Sequence, residues 1–170
     1  GGDSGVREPW RVARSYLLDT LGSIPNGAPW EEMAAPERLR IVDTMLRRQV
    51  NTIATSSAGR LFDAVASLIG LRHSVSFEGQ AAMMLEAAAQ EFLDGSSSPE
   101  PYEFQLETGN RAGGSPVSLD FRPMIRQILE ELVCRAPNPS SRHGFTPPWW
   151  PPCPPSADGC RRSLAWTAFA

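Results

Sequence analysis

Lysine is absent from this sequence; all 16 basic residues among its 170 are arginine. Histidine occurs only at His73 and His143, and cysteine only at Cys134, Cys153 and Cys160. There is no HxxxH, HExxH or CxxC spacing and no GxxxxGK followed by Ser or Thr. These gaps exclude a zinc site built on Cys/His spacing and a Walker-type phosphate loop. Three cysteines, an odd number, confined to the last 37 residues, argue against a disulfide framework. The formal net charge is −3 with a pI near 5.4, so no basic field is available for a nucleic acid or an anionic membrane. No apolar run approaches the roughly 20 residues of a membrane span. Gly1–Gly5 (GGDSG) has neither a basic stretch nor an apolar one, and no Met begins it. It reads as a chain that starts mid-protein and carries no signal peptide, and a cytoplasmic location is expected. Arginine without lysine reflects a GC-rich genome rather than a function.

The sequence is rich in helical periodicity. Residues 9–22 place Trp10, Val12, Ala13, Tyr16, Leu17 and Leu21 near one face, with Pro9 in the first turn and Gly22 as the stop. Residues 23–29 (SIPNGAP) form a turn-rich loop. Residues 30–50 predict helix, with Met33, Ile41, Met45 and Leu46 as its stripe and a break or restart at Pro36. Asn51–Ser57 predicts a loop leading into the clearest helix, 58–70. Its apolar face is Leu61, Val65, Leu68 and Ile69, its cap is Ser56 or Ser57, and Gly70 ends it. Residues 79–93 predict an Ala-rich helix with Met83 and Met84 as core filler. After a linker at 95–101, residues 102–107 and 115–121 alternate with period 2 around GNRAGG and predict a β-hairpin. Residues 122–133 predict a last helix, with Met124, Ile128 and Leu132 on one side. The fold class expected is α+β, mainly helical.

From residue 134 the character changes. Residues 144–170 hold six Pro, three Trp and two Cys, and TPPWWPPCPP has neither helical nor strand periodicity. One reading is an irregular polyproline tail, a ligand for Pro-binding modules. A second comes from codons. Read one base earlier, Arg142–Pro155 permits ARFHAALVAAVSA, an Ala/Val-rich helical sequence. A change of reading frame between about residues 132 and 143 is therefore expected, leaving 134–170 as an out-of-frame tail without selected function.

The segment TSSAGRLFDAVA at 55–66, then Gly70-Leu71, then SFEGQAA at 76–82, resembles the HypF carbamoyltransferases of NiFe-hydrogenase maturation. GGD at 1–3 and REPW at 7–10 resemble the family's segment just upstream, and the shifted-frame ARFH resembles its next motif. The resemblance covers residues 1 to about 133. It implies a partial transferase domain, related to the tRNA threonylcarbamoyl transferases within the actin/Hsp70-like (ASKHA) superfamily. Residues 1–133 would form the helical half and part of a lobe, short of a complete five-stranded sheet. It also implies ATP and carbamoyl-adenylate as bound nucleotides, carbamoyl phosphate as donor, and a cysteine thiol of the maturation protein HypE as acceptor. By motif, Asp63 matches the ribose-holding Asp, and Gly79 matches a glycine whose backbone lies against the nucleotide. Ser56, Ser57, Gly59, Arg60 and Glu78 flank those positions and are weaker nucleotide-binding candidates. Three extra residues separate the two motifs here, which loosens the match at Gly79. The family's zinc and metal ligands fall outside this chain, so no catalytic residue and no metal ligand is assigned within it.

Residue by residue, plainer roles compete with these. Asp63 suits a local pair with Arg60, and Arg60 suits an ion pair as well as a phosphate. Ser56 and Ser57 suit caps, since no motif places a base beside them. Glu78 lacks a paired carboxylate for acid–base work and suits orienting its loop. His73 suits a surface loop, and Arg47-Arg48 a solvated helix face. The competing function class is a non-enzymatic helical interaction module with a Pro-rich tail; the coding DNA around codons 132–143 separates the two.

Overall fold

Pro9 fixes φ for a first helical turn, where its missing N–H costs nothing, and helix α2 runs from it over Pro9–Leu21. A short α1, Asp3–Arg7, precedes it. Gly22 closes α2 at φ 71°, its N–H donating to Leu18 O at 2.8 Å, the left-handed cap that its position foretells. Then come α3 (Pro36–Arg48), α4 (Ala58–Leu68), α5 (Gln80–Asp94), the strands β1 (Gln105–Thr108) and β2 (Val117–Asp120), and α6 (Arg122–Arg135). The structure, a computed structural model, describes residues 3–24, 30–94, 101–108 and 117–135. The expected linker at 95–100, the hairpin turn and the tail from 136 lie outside the described residues.

Helix α4 sits at the centre, packed on α2 and α5, while α2 also meets α1, α3 and α6. Leu61, Ala64, Val65, Ala66, Ser67 and Leu68 are all buried, so beyond its first turn α4 is covered nearly all round. Trp10, Ala13 and Leu17 reach the same core from α2, Ala81 and Leu85 from α5, and Met124, Ile125, Ile128 and Leu129 from α6. Each fully buried Leu or Ile in that cluster is worth about 1.5–3 kcal/mol of transfer free energy.

Several expectations are corrected. Regular helix begins at Pro36, not at residue 30, because a residue before proline is pushed out of the α region; Ala35 accordingly has ψ 141°. Ile41, placed on the buried stripe from sequence, is 59% exposed, and Leu39 and Val42 are buried instead. With the helix start fixed at Pro36, the neighbours select the Leu39/Val42 face. Met83 is likewise 60% exposed rather than core filler, since Ala81 and Leu85 occupy the buried face of α5. Arg47 and Arg48 are exposed, as expected. Among the described residues the sheet is two-stranded and antiparallel, with Leu106 opposite Leu119. Residues 102–104, expected in the first strand, precede it. Among the described residues no helix is long and apolar enough to cross a membrane.

Candidate functional site

The loop 51–57 enters α4 with Ser57 at the cap position in extended conformation (φ −70°, ψ 117°). Of the two expected caps, Ser57 holds the cap position, but among the described residues its side chain makes no cap bond, and Thr55 Oγ1 accepts from Ser57 N at 3.2 Å. Such short local bonds compete with capping for Ser and Thr hydroxyls. Without a side-chain cap, α4 presents the orphan N–H groups and positive dipole end of a helix start. Ser56, Ser57 and Gly59 are exposed beside it.

Asp63 lies six residues beyond Ser57, about 9 Å further along the axis at 1.5 Å per residue. Asp63 is only 7% exposed, and it makes the local pair with Arg60 that its spacing suits. Its Oδ2 accepts from Arg60 Nη1 at 3.1 Å, the i,i+3 reach of a helix. The same Nη1 donates to Gly5 O at 3.2 Å. Among the described residues Oδ1 of Asp63 accepts no hydrogen bond. Burial pushes the Asp63 carboxyl above the ordinary carboxylate range, the Arg60 charge and hydrogen bond pull it down, and the charge of Glu78 pushes it up again. The upward effects prevail. Glu78 is itself exposed, and its action on Asp63 means that the structure brings the SFEG segment and α4 within electrostatic reach.

Gly79 has φ 82°, and a Cβ there would meet nothing within 4 Å. Glycine at this position thus answers to the left-handed backbone entering α5, while the space above it stays open. Gln80 braces the turn by accepting from Ser76 N through Oε1 at 2.7 Å. His73, expected on a surface loop, is in a loop but half-buried, its Nδ1 2.9 Å from the Oγ of fully buried Ser67. Burial lowers its pKa below the ordinary 6.5, against a weaker upward pull from Glu32.

The sequence reading missed Arg14, which is 4% exposed and forks onto Asp43 with Nε and Nη2 at 2.6 and 2.5 Å. Its spacing, four after Trp10 and three before Leu17, was the available signal, since it falls on the buried stripe of α2. A separate groove of about 130 Å³ between α2, α3 and the 51–55 loop is lined largely by apolar side chains, among them Val12, Val42, Met45 and Ile53. It includes Gly5 and Thr55 but neither Asp63 nor Gly79. Among the described residues no group of three or more His, Cys, Asp or Glu gathers to hold a metal.

Comparison with known proteins bears on this geometry. Residues 1–146 match the family model described as the second subdomain of the carbamoyltransferase Kae1-like domain. A carbamoyltransferase HypF homolog of Cupriavidus necator is 42% identical over 131 residues, covering 76% of this chain and 31% of the relative. Carbamoyltransferase HypF of Synechocystis sp. is 43% identical over 146 residues, covering 77% of this chain and 18% of its own length. The crystal structure of full-length HypF in its phosphate- and nucleotide-bound form superposes with a TM-score of 0.56 at 29% identity. That superposition covers 76% of this chain and 16% of the solved one. The chain thus spans less than a third of the length of these relatives.

Proposed function

This chain belongs to the HypF carbamoyltransferase family, and we propose that it supplies the part of that enzyme's actin/Hsp70-like transferase domain that holds the nucleotide ribose. The whole enzyme, in this reading, is cytoplasmic and ATP-dependent. Water cleaves carbamoyl phosphate to carbamate and phosphate, the carbamate oxygen displaces pyrophosphate from the α-phosphorus of ATP to give carbamoyl-adenylate, and the carbamoyl group then passes to a cysteine thiol of HypE during NiFe-hydrogenase maturation. In the last step the thiolate sulfur attacks the carbamoyl carbon. A C–S bond forms, the mixed-anhydride C–O bond breaks, AMP leaves with the electron pair, and the thiol proton is released.

One observation carries the reading. Asp63 is a buried carboxylate fixed through Oδ2 while Oδ1 has no donor among the described residues. A ribose presents vicinal hydroxyls, donors suited to such an acceptor. The uncapped start of α4 suits the phosphate end of the same ligand, and the open space over Gly79 suits a nucleotide lying against the backbone. The chain alone holds neither metal ligands nor an adenylate-forming domain by this reading, so it transfers no carbamoyl group by itself.

The test is calorimetric titration of AMP and ATP into the wild-type chain and Asp63→Ala, with melting temperatures measured alongside. Charge-assisted hydrogen bonds contribute about 1.5–3 kcal/mol each, so Asp63→Ala should weaken AMP binding about tenfold or more. Equal affinity in a folded variant would remove Asp63 from the site. A parallel assay with carbamoyl phosphate, ATP and HypE should give no carbamoylated thiol with this chain alone.

A further inference from the structure

A five-residue helix leaves most of its carbonyls without intrahelical partners, and the partners that α1 finds define its attachment. Ser4 O accepts from Glu8 N at 3.1 Å and Arg7 O from Val75 N at 2.9 Å. Gly5 O is satisfied from a distant part of the chain, by Arg60 Nη1 at 3.2 Å. That nitrogen carries two protons, and the second goes to Asp63 Oδ2 at 3.1 Å. The Arg60 side chain is largely covered, 22% exposed. It is therefore held at two points, one on α1 and one on its own helix, and swinging toward solvent would forfeit both bonds.

From this geometry we infer that Arg60 is a positioning residue rather than a phosphate ligand: it anchors α1 and, through the same nitrogen, fixes Asp63 with Oδ2 occupied and Oδ1 free for the ligand. The inference rests on the nucleotide reading of Asp63 given above. It reassigns Arg60, which the motif alone places among the nucleotide contacts. Among the described residues, the charged groups acting on Asp63 are Arg60 on α4 itself and Glu78 on the segment entering α5. Burial and Glu78 both favour the neutral acid, so Arg60 is the charge that favours the carboxylate. A protonated Asp63 would offer a poorer acceptor to a ribose diol.

The experiment follows the Asp63 carboxyl carbon by NMR through a pH titration of this chain, as wild type, Arg60→Gln, Arg60→Lys and Glu78→Gln, with Asp63→Asn for assignment. AMP binding is measured on the same samples across the same pH range. Removing an opposite charge at this distance should raise the Asp63 midpoint by about 1 pH unit or more in Arg60→Gln. Arg60→Lys should fall between Gln and wild type, and Glu78→Gln should lower the midpoint. AMP affinity should fall away at correspondingly higher pH in Arg60→Gln. An unmoved midpoint in a folded Arg60→Gln overturns the inference. So does lost AMP affinity with an unmoved midpoint, since Arg60 would then meet the phosphate itself. If Arg60→Gln does not fold, Arg60→Met, which also removes the charge, takes its place, and an unmoved midpoint in that folded variant sinks the proposal. Wild-type chain that binds no AMP defeats the nucleotide reading, while the carboxyl titration still tests whether Arg60 governs Asp63.

Discussion

Arg14 on α2 and Asp43 on α3 meet fork to fork, Nε on Oδ1 at 2.6 Å and Nη2 on Oδ2 at 2.5 Å, while Arg14 Nη1 donates to Trp30 O at 3.2 Å. One guanidinium thus joins α2, α3 and the segment before α3. The pair is unequally covered, 5% exposed at Arg14 and 23% at Asp43. Removing the outer partner leaves a buried cation without its counter-charge. Asp43→Ala should therefore cost about 2–4 kcal/mol, less than a fully buried pair because Asp43 touches solvent. Arg14→Met, which removes the charge and keeps much of the volume, should cost less than Asp43→Ala. Urea unfolding of both variants checks the order; the reverse order would mean that the pair contributes by packing alone.

His73 makes stability depend on pH. Its pKa is lowered in the folded chain by burial, below the ordinary 6.5, so between those two values the unfolded chain binds more protons than the folded one. Stability is complete above the unfolded value and declines as pH falls below 6.5 toward the folded value. Chemical denaturation at a series of pH values from 7.5 down to 5 should show that decline, and His73→Gln should flatten it. A wild-type slope retained in His73→Gln would assign the dependence to other groups.

Gly79 separates backbone demand from ligand approach. At φ 82° with open space over it, Gly79→Ala should cost about 1–2 kcal/mol from the left-handed conformation alone. Asn tolerates that region better, so Gly79→Asn should be the milder change in stability. If a nucleotide lies against this backbone, Gly79→Asn should still weaken AMP binding several-fold. Calorimetry paired with thermal melts reads the two effects apart, and wild-type AMP affinity in Gly79→Asn would confine the glycine's role to the turn.

Thr20, at the end of α2, is 4% exposed, and its Oγ1 is buried without a hydrogen-bond partner among the described residues. A buried hydroxyl with no partner loses hydration for nothing in return. Thr20→Val keeps the shape and should raise stability by about 1 kcal/mol. Denaturant midpoints for the two proteins check it, and a destabilised Thr20→Val would show that the hydroxyl is satisfied in solution.

The helix run at 58–70, the Gly22 and Gly70 stops, the hairpin and the last helix were all legible in the sequence. Each rests on local physics: period-3.6 apolar spacing, proline's fixed φ, glycine's access to φ above zero, period-2 alternation. The family was legible too, because TSSAGRLFDAVA and FEGQAA are long contiguous words. What the sequence left open was which side of each element faces inward. Ile41 and Met83 are apolar yet exposed, and Asp63 is charged yet buried, because neighbouring helices select one face and periodicity alone offers more than one. The candidate site shows the same division. Asp63, Arg60 and Glu78 could be named from the chain, but that Arg60 reaches back 55 residues to Gly5 O is a long-range contact that no local pattern encodes. Tertiary packing created that contact, and with it the low-dielectric setting that raises the Asp63 pKa and makes Arg60 its counter-charge.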